Sequence, residues 1–127
     1  MTELTKAEEQ VMQYLWKLGK GFLKDIVDQF PQPKPAYTTV STVIRVLVKK
    51  GAIGFNTYGK IHEYYPLISK SEYFRSQMKS LVSNFFNGST TSFVSAFTET
   101  ENLSISELEK IKKVIESKIK EKDKNNG

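Results

Sequence analysis

The residues best suited to chemistry lie in one short stretch, AYTTVSTVIRVLVKKG, which runs from Ala36 to Gly51. A helix turns by about 100° per residue, so the polar residues of this stretch fall on one narrow stripe. The stripe combines short hydroxyls with two cations and holds no acid: Thr38, Ser41, Thr42, Arg45 and Lys49. Such groups bind phosphates and base edges, and an arginine can bind guanine through two hydrogen bonds. The stripe therefore favours a DNA-binding surface, although an ordinary amphipathic surface helix has a similar pattern.

Catalytic and metal-binding chemistry finds little support. His62 is the only histidine, it stands beside Glu63, and the chain has no cysteine. A catalytic triad or a metal site needs more partners than this pair, so a surface histidine is the simpler interpretation. The segment Gly19-Lys20-Gly21 lacks the spacing of a phosphate-binding loop. We therefore expect no enzyme activity, no metal, no cofactor and no small-molecule substrate.

Composition favours an anionic partner. The chain has 127 residues, and 19 Lys and Arg against 14 Asp and Glu give a net charge of +5. A basic surplus is typical of proteins that bind nucleic acid, though unrelated proteins share it. No apolar run approaches about 18 residues, and the polar start MTELTKAEEQ does not resemble a signal peptide. The sequence thus predicts a cytoplasmic protein without membrane insertion.

Three short helices should precede and include the polar stripe. Thr5 and Glu8 have the spacing of a capping box, which predicts a first helix that ends at Gly19. The second helix should carry Leu23, Ile26, Val27 and Phe30 on one face and end before the prolines at 31, 33 and 35. The third should end at Gly51, with a left-handed glycine after the last turn. Its apolar face would be formed by four residues: Val40, Val43, Ile44 and Leu47.

The pattern after Gly51 changes to the alternation of β-strands. Ile53, Phe55 and Thr57 alternate with smaller or polar residues, and a second extended run follows in IHEYYPL. Tyr58, Gly59 and Lys60 supply the turn between them. Three helices followed by a two-stranded hairpin predict a mainly α fold, a winged helix-turn-helix, over residues 1–68. Lys49, Lys50, Tyr58 and Lys60 should then contact the DNA backbone.

Residues 69–127 form a second, helical region in this interpretation. Two further capping boxes, Ser69 with Glu72 and Ser104 with Glu107, begin helices, and the final segment KEKDKNNG should be a frayed, solvated tail. About sixty residues bury too little surface to be stable alone. A homodimer would cover the apolar stripes, while the alternative is that the helices pack on the winged domain of their own chain. The predicted dimerisation residues are Phe74, Leu81, Phe85, Phe93, Phe97, Leu108, Ile111 and Ile115.

Several segments together resemble the penicillinase-repressor family, of the BlaI and MecI type. They are EQVMQYLW, YTTVSTVIRVLVKKG, the hairpin that ends in YYPL, and NLSISELEKIKKVI, so the resemblance covers nearly the whole chain. It implies an N-terminal winged helix that binds operator DNA and a C-terminal helical dimer. It also implies control of β-lactam resistance genes, with a membrane sensor-transducer whose signal leads to cleavage of the repressor in its dimerisation region. Copper-responsive relatives use cysteines near the C-terminus, which this chain lacks.

The resemblance assigns roles to particular residues. The positions that meet DNA in this family correspond to Thr38, Thr39, Ser41, Thr42 and Arg45. Ser41 stands where some relatives have a basic residue, so the operator sequence should differ. The cleavage point of the family is typically an Asn-Phe bond, and the corresponding pair is Ala96-Phe97. Because the asparagine is missing, this cluster could instead belong only to the dimer core.

Two functional hypotheses remain open at this point. A dimer on a palindromic operator would repress transcription by occupancy, with Arg45 reading a base and the hydroxyls divided between phosphates and bases. Alternatively, the basic helix of the same fold could dock on an acidic protein, because a fold does not settle a function. A salt series separates them, since affinity for DNA falls linearly with salt on logarithmic axes.

Overall fold

A computed structural model of the chain describes residues 3–126. The first helix, α1 (Lys6–Leu18), begins at the predicted capping box. The amide of Glu8 donates to Thr5 Oγ1 at 3.2 Å, and the amide of Thr5 donates to Glu8 Oε1 at 3.0 Å. Gly19 follows with a φ of +82° and ends the helix. The predicted start and end of α1 are therefore both confirmed.

Two further helices complete the helical layer of the N-terminal region. They are α2 (Leu23–Asp28) and α3 (Tyr37–Lys49). Val40, Ile44 and Leu47 of α3 are buried, which confirms the predicted apolar face of this helix. Gly51 has a φ of +81°, a conformation that glycine adopts without strain. The buried face determines which side of α3 remains exposed.

The sheet has three antiparallel strands: β1 (Gly21–Phe22), β2 (Ile53–Tyr58) and β3 (Ile61–Pro66), in the order β1-β3-β2. The predicted hairpin is confirmed as β2 and β3, which we call the wing together with their turn. In its register Phe55 pairs with Tyr64 and Thr57 pairs with His62. A third strand was not predicted: Gly21 and Phe22, where the sequence favours a turn, pair with β3. A two-residue strand is too short to show periodicity, and its glycine favours a turn when the sequence is considered alone.

The next helix, α4 (Lys70–Phe86), begins against the winged region. Its capping box is present, with the Glu72 amide donating to Ser69 Oγ at 3.1 Å. Tyr73 is buried beside Leu4, and its hydroxyl donates to Glu9 Oε2 at 2.8 Å. Burial, reinforced by this hydrogen bond to Glu9, raises the pKa of Tyr73 to about 12. The first turn of α4 is thereby attached to α1.

The chain divides into two compact units between Met78 and Lys79. This division lies ten residues beyond the sequence boundary after Ile68, because Tyr73 belongs to the first core. The second unit contains the end of α4 together with α5 (Thr90–Thr100) and α6 (Ile105–Asn126). The prediction of a frayed tail was wrong, because α6 continues through KEKDKNN, but its side chains are exposed as predicted as far as Asn125; Gly127 lies outside the described residues. Lys and Glu favour helix even where no apolar face is buried.

Side chains of the second unit remain open to solvent. Between Lys79 and Asn125 no residue is buried, although Phe93 makes ring contacts with Phe86 and Phe97 at centroid distances of 5.7 and 6.1 Å. Several apolar side chains of this unit are more than half exposed, among them Phe85 and Ile105. The single chain thus leaves the apolar surface of this unit uncovered.

Within residues 3–126, none of the helices combines the length and the apolar character that a membrane crossing requires.

Candidate nucleic-acid interface

The exposed side of α3 carries the predicted polar stripe. Thr38, Thr42, Arg45 and Lys49 are exposed, and Ser41 is half-buried. Thr39 is also exposed, about 100° around the helix from Thr38. No acidic residue occurs in the sequence of α3. An approaching polyanion would therefore meet hydroxyls and cations on this surface without repulsion from a carboxylate of the same helix.

The hydroxyl of Thr42 is partly committed to its own helix. Thr42 Oγ1 donates to the carbonyl oxygen of Thr38 at 2.9 Å. This bond uses the only hydroxyl proton and leaves the two acceptor lone pairs of the oxygen available on an exposed side chain. Thr42 can consequently accept a hydrogen bond from a base amino group or contact a thymine methyl, but it is poorly placed to donate to a phosphate.

The beginning of α3 offers backbone donors. Ala36 is the N-cap, it provides no side-chain hydrogen bond, and the first turn has no acidic residue. The first amides of a helix lack intrahelical partners and carry the positive end of the helix dipole. This end of α3 is therefore compatible with a phosphate.

The tip of the wing presents an aromatic ring and a cation. Tyr58 is 54% exposed, and its ring lies 6.2 Å from that of Phe22 in an edge-to-face arrangement. Gly59 has a φ of +61°, as tight hairpin turns require, and Lys60 is exposed beside it. The turn thus holds Lys60 outward from the end of the sheet.

A cleft of about 280 Å³ separates α3 from the wing. Four residues of α3 and three of the wing line it: Ser41, Ile44, Arg45, Val48, Phe55, His62 and Tyr64. Burial raises the pKa of the Tyr64 phenol, and the nearby charge of Arg45 acts in the opposite direction. Arg45 and Ser41 are one turn apart, so they form the edge of the stripe that faces the wing.

Lys50 differs from the other predicted backbone contacts. Its ammonium lies 2.6 Å from Glu8 Oε1, and its side chain is only 24% exposed. The same carboxylate caps α1 through Thr5. Lys50 therefore joins the end of α3 to the beginning of α1, and its charge is already paired.

His62 is more enclosed than the surface histidine expected from the sequence. It is half-buried, its ring lies 4.4 Å from that of Phe55, and its Nδ1 lies 3.0 Å from Thr57 Oγ1. The alternation of β2 and β3 could have placed these three side chains on one face. The alternation of side chains along a strand does not predict how close that face lies to α3.

Among residues 3–126, no group of three His, Asp or Glu side chains is arranged to hold a metal ion.

The predicted dimerisation residues are largely open to solvent. Six of them are exposed, namely Phe74, Leu81, Phe85, Phe97, Leu108 and Ile115, while Phe93 and Ile111 are half-buried. Phe74 belongs to the first compact unit, and the other seven belong to the second. The Ala96-Phe97 bond lies within α5, with Ala96 half-buried.

Three helices, a small antiparallel sheet and an exposed cationic helix beside a hairpin define a winged helix-turn-helix protein. The sequence profile of the penicillinase repressor family matches residues 4–117. The chain belongs to this family. Its members are transcriptional regulators rather than enzymes.

Two relatives found by sequence agree with this membership. The chain is 27% identical over 115 residues to the penicillinase repressor of Bacillus licheniformis, with 90% of both chains covered. It is 29% identical over 117 residues to the methicillin resistance regulatory protein MecI of Staphylococcus aureus strain N315, which covers 91% of this chain and 95% of MecI. Among solved structures, the solution structure of the DNA-binding domain of the repressor BlaI is similar, with 26% identity and a TM-score of 0.49. That match covers 56% of this chain and 88% of the domain.

Proposed function

We propose that this protein is a homodimeric, cytoplasmic transcriptional repressor that occupies a palindromic operator in double-stranded DNA. The exposed surface of α3 is the observation that carries the proposal. This helix buries Val40, Ile44 and Leu47 and turns a side without acids toward solvent. A 13-residue helix of about 20 Å fits the major groove.

Direct readout is assigned to the residues of the exposed stripe and its edge. Arg45 would bind a guanine, while Thr38, Thr39, Ser41 and Thr42 would divide between bases and phosphates. Lys49, Tyr58 and Lys60 would contact the backbone and add affinity with little sequence information. Lys50 is left out of this set because Glu8 already holds its ammonium.

Dimerisation is supported by the exposed apolar surface of the second unit. No side chain between Lys79 and Asn125 is buried, yet Phe85 is 77% exposed and Phe97 is 42% exposed. Surfaces of this kind on a small unit favour association with a second copy. Two α3 helices about 34 Å apart could then enter successive major grooves on one side of the duplex.

DNA binding can be tested with a duplex selected from a random pool. Affinity for this duplex and for a scrambled one is measured by fluorescence anisotropy across a salt series. A linear fall of log affinity with log salt supports DNA as the partner. Lack of binding to either duplex would contradict the proposal and favour a winged helix that docks on an acidic protein.

Two variants separate readout from backbone contact. Arg45→Ala should cost about 1 to 3 kcal/mol on the selected duplex and relax the preference at one base pair. Lys60→Ala should weaken both duplexes alike and reduce the salt slope by about one. Equal losses on both duplexes for Arg45→Ala would remove Arg45 from the readout role.

The dimer can be tested with a matched pair of substitutions in α6. Ile115→Asp places a carboxylate on the apolar stripe, whereas Ser117→Asp places one on the other side of the same helix. Sedimentation equilibrium should show a dimer for the wild type and for Ser117→Asp. The dissociation constant of Ile115→Asp should rise at least about tenfold, because an unpaired charge is costly in an apolar interface. A monomeric wild type at micromolar concentration would refute the dimer.

The finer regulatory proposal is control of β-lactam resistance genes through a membrane sensor-transducer pathway. The B. licheniformis and S. aureus relatives carry names that refer to penicillinase and to methicillin resistance. Cleavage between Ala96 and Phe97 would separate α6 from the rest of the chain. The bond lies in α5, so this helix must open locally before a protease can act.

Exposure of cells to a β-lactam tests this step. An N-terminal fragment that ends at Ala96, identified by mass spectrometry, would support proteolytic derepression. Release of the intact repressor from its operator would contradict cleavage and leave Phe97 with a role only in the dimer core.

A further inference from the structure

Three rings meet on one side of the wing. The Phe55 and His62 centroids are 4.4 Å apart, and Tyr64 lies 6.1 Å from Phe55 and 6.0 Å from His62. Because Phe55 is paired with Tyr64 and Thr57 with His62 across the hairpin, all four side chains lie on one side of the sheet. We call this side, which lines the cleft toward α3, the inner face of the wing.

The Phe55 ring does not form part of the hydrophobic core. Phe55 is 40% exposed, and it is absent from the side chains that pack on the hydrophobic core. Ile53, two residues earlier on the same strand, is 1% exposed and belongs to that core. The inner face therefore changes along β2 from core packing at Ile53 to an open aromatic surface at Phe55.

Arg45 stands on the opposite wall of the same cleft. In the part of the chain that the structure describes, its guanidinium has no hydrogen bond and no ion pair. A free arginine samples many rotamers and loses rotamer entropy when it is fixed on a ligand. Guanidinium groups are weakly hydrated and stack favourably on aromatic faces. An adjacent aromatic wall can therefore reduce the number of directions in which Arg45 points before it meets a base.

We propose that the inner face of the wing positions Arg45 for base readout, with Phe55 as the principal positioning residue and His62 and Tyr64 holding its ring in place. This inference rests on the proposed function, because it concerns how the same surface distinguishes one DNA sequence from another. Phe55 contacts no base in this arrangement. It restricts Arg45, so the wing contributes to sequence specificity as well as to backbone affinity.

The hairpin provides a matched pair of substitutions. Phe55→Leu removes a ring from the inner face, and Tyr65→Leu removes one from the other face, where the ring lies against Gly54. Phe55→Tyr keeps the ring and serves as the conservative variant. Each protein is tested on the selected duplex, on a duplex changed at the base pair that Arg45→Ala relaxes, and across the salt series.

The expected result is a loss of discrimination without a change in charge contacts. Phe55→Leu should reduce the ratio of the two affinities about 2- to 10-fold, the range that corresponds to one aromatic contact. The salt slope should remain unchanged, since no cation is lost. Phe55→Tyr and Tyr65→Leu should retain the wild-type ratio.

A double-mutant cycle shows whether Phe55 acts through Arg45. In an Arg45→Ala background, Phe55→Leu should have no further effect on discrimination at that base pair. The inference is overturned if Phe55→Leu discriminates between the two duplexes as well as the wild type does, or if Tyr65→Leu loses as much discrimination as Phe55→Leu. It is also overturned if Phe55→Leu still reduces discrimination in the Arg45→Ala background. The proposed function fails separately, and this inference with it, if the wild type binds no duplex.

Discussion

The contact between Glu8 and Lys50 gives a prediction that does not depend on DNA. Lys50 Nζ lies 2.6 Å from Glu8 Oε1, and the side chains of Lys50 and Glu8 are 24% and 9% exposed. Pairs on an open surface contribute about 0 to 1 kcal/mol, and breaking a fully buried pair costs about 3 to 5 kcal/mol. This pair lies between those cases. We therefore expect Lys50→Met to lower the free energy of unfolding by about 1 to 3 kcal/mol.

The two partners should not contribute equally. Lys50→Met leaves a carboxylate enclosed without its cation, whereas Glu8→Gln leaves a lysine that can turn toward solvent. Glutamine can also keep the capping hydrogen bond from the amide of Thr5. Glu8→Gln should therefore cost less, about 1 kcal/mol, in urea unfolding followed by circular dichroism.

The effect on stability should depend on pH. Burial tends to raise the pKa of Glu8, but hydrogen bonds from Lys50 and Thr5 and the charge of Lys50 outweigh it and leave the pKa below its ordinary value of 4.5. A lowered folded-state pKa contributes stability that is present above the unfolded-state pKa and is lost as pH falls through the folded-state value. The difference between wild type and Glu8→Gln should therefore be constant near neutral pH and decrease below about pH 4.5.

Three results would refute this reasoning. One is a loss of unfolding free energy for Lys50→Met below about 0.5 kcal/mol, which is what an exposed ion pair contributes. Another is a larger cost for Glu8→Gln than for Lys50→Met. The third concerns DNA: Lys50→Gln should leave the salt slope unchanged, while Lys49→Gln should lower it by about one, and the reverse order would show that Lys50 contacts a phosphate.

Further predictions concern the elements that hold α3 and α4. Leu47→Ala should destabilise the protein by about 2 to 5 kcal/mol in urea unfolding, because Leu47 is fully buried; a cost below about 1 kcal/mol would mean that this side chain is not part of a packed core. Gly51→Ala should cost about 1 kcal/mol, because the φ of +81° is strained for alanine although no atom outside Gly51 and its two chain neighbours lies within 4 Å of the added methyl group. Gly51→Asn should cost less stability than Gly51→Ala, because asparagine adopts a positive φ more readily. Equal costs for the two variants would argue against backbone conformation as the cause. Tyr73→Phe should cost about 1 kcal/mol and remove the phenol that titrates near pH 12, whereas unchanged stability would show that the Glu9 hydrogen bond contributes nothing.

Local signals predicted the helical elements well. Thr5 with Glu8, Ser69 with Glu72 and Ser104 with Glu107 each form the expected capping hydrogen bonds. These motifs depend on residues three apart in the chain, so their geometry is encoded in the sequence itself. The same holds for the apolar face of α3, where helical periodicity alone placed Val40, Ile44 and Leu47 in the core.

Contacts between distant segments were harder to predict from the sequence. The short strand β1 exists only because β3 pairs with it, and two residues are too few for a periodic pattern. Lys50 follows Lys49 in the sequence, and this adjacency alone placed both in one basic surface. The partner that pairs with its charge, Glu8, lies 42 residues earlier in the chain, and only the packing of α1 against α3 brings the two together.

Residue type and spacing within single elements are enough to specify the winged helix, the polar stripe without acids on α3 and the helical character of the C-terminal half. Three other properties emerge only when the elements pack. They are the pairing of one cation at the end of α3, the attachment of the first turn of α4 to α1, and the cleft that Phe55, His62 and Tyr64 share with Arg45. Those properties depend on distances between elements, and the periodicity of residues within one element does not predict such distances.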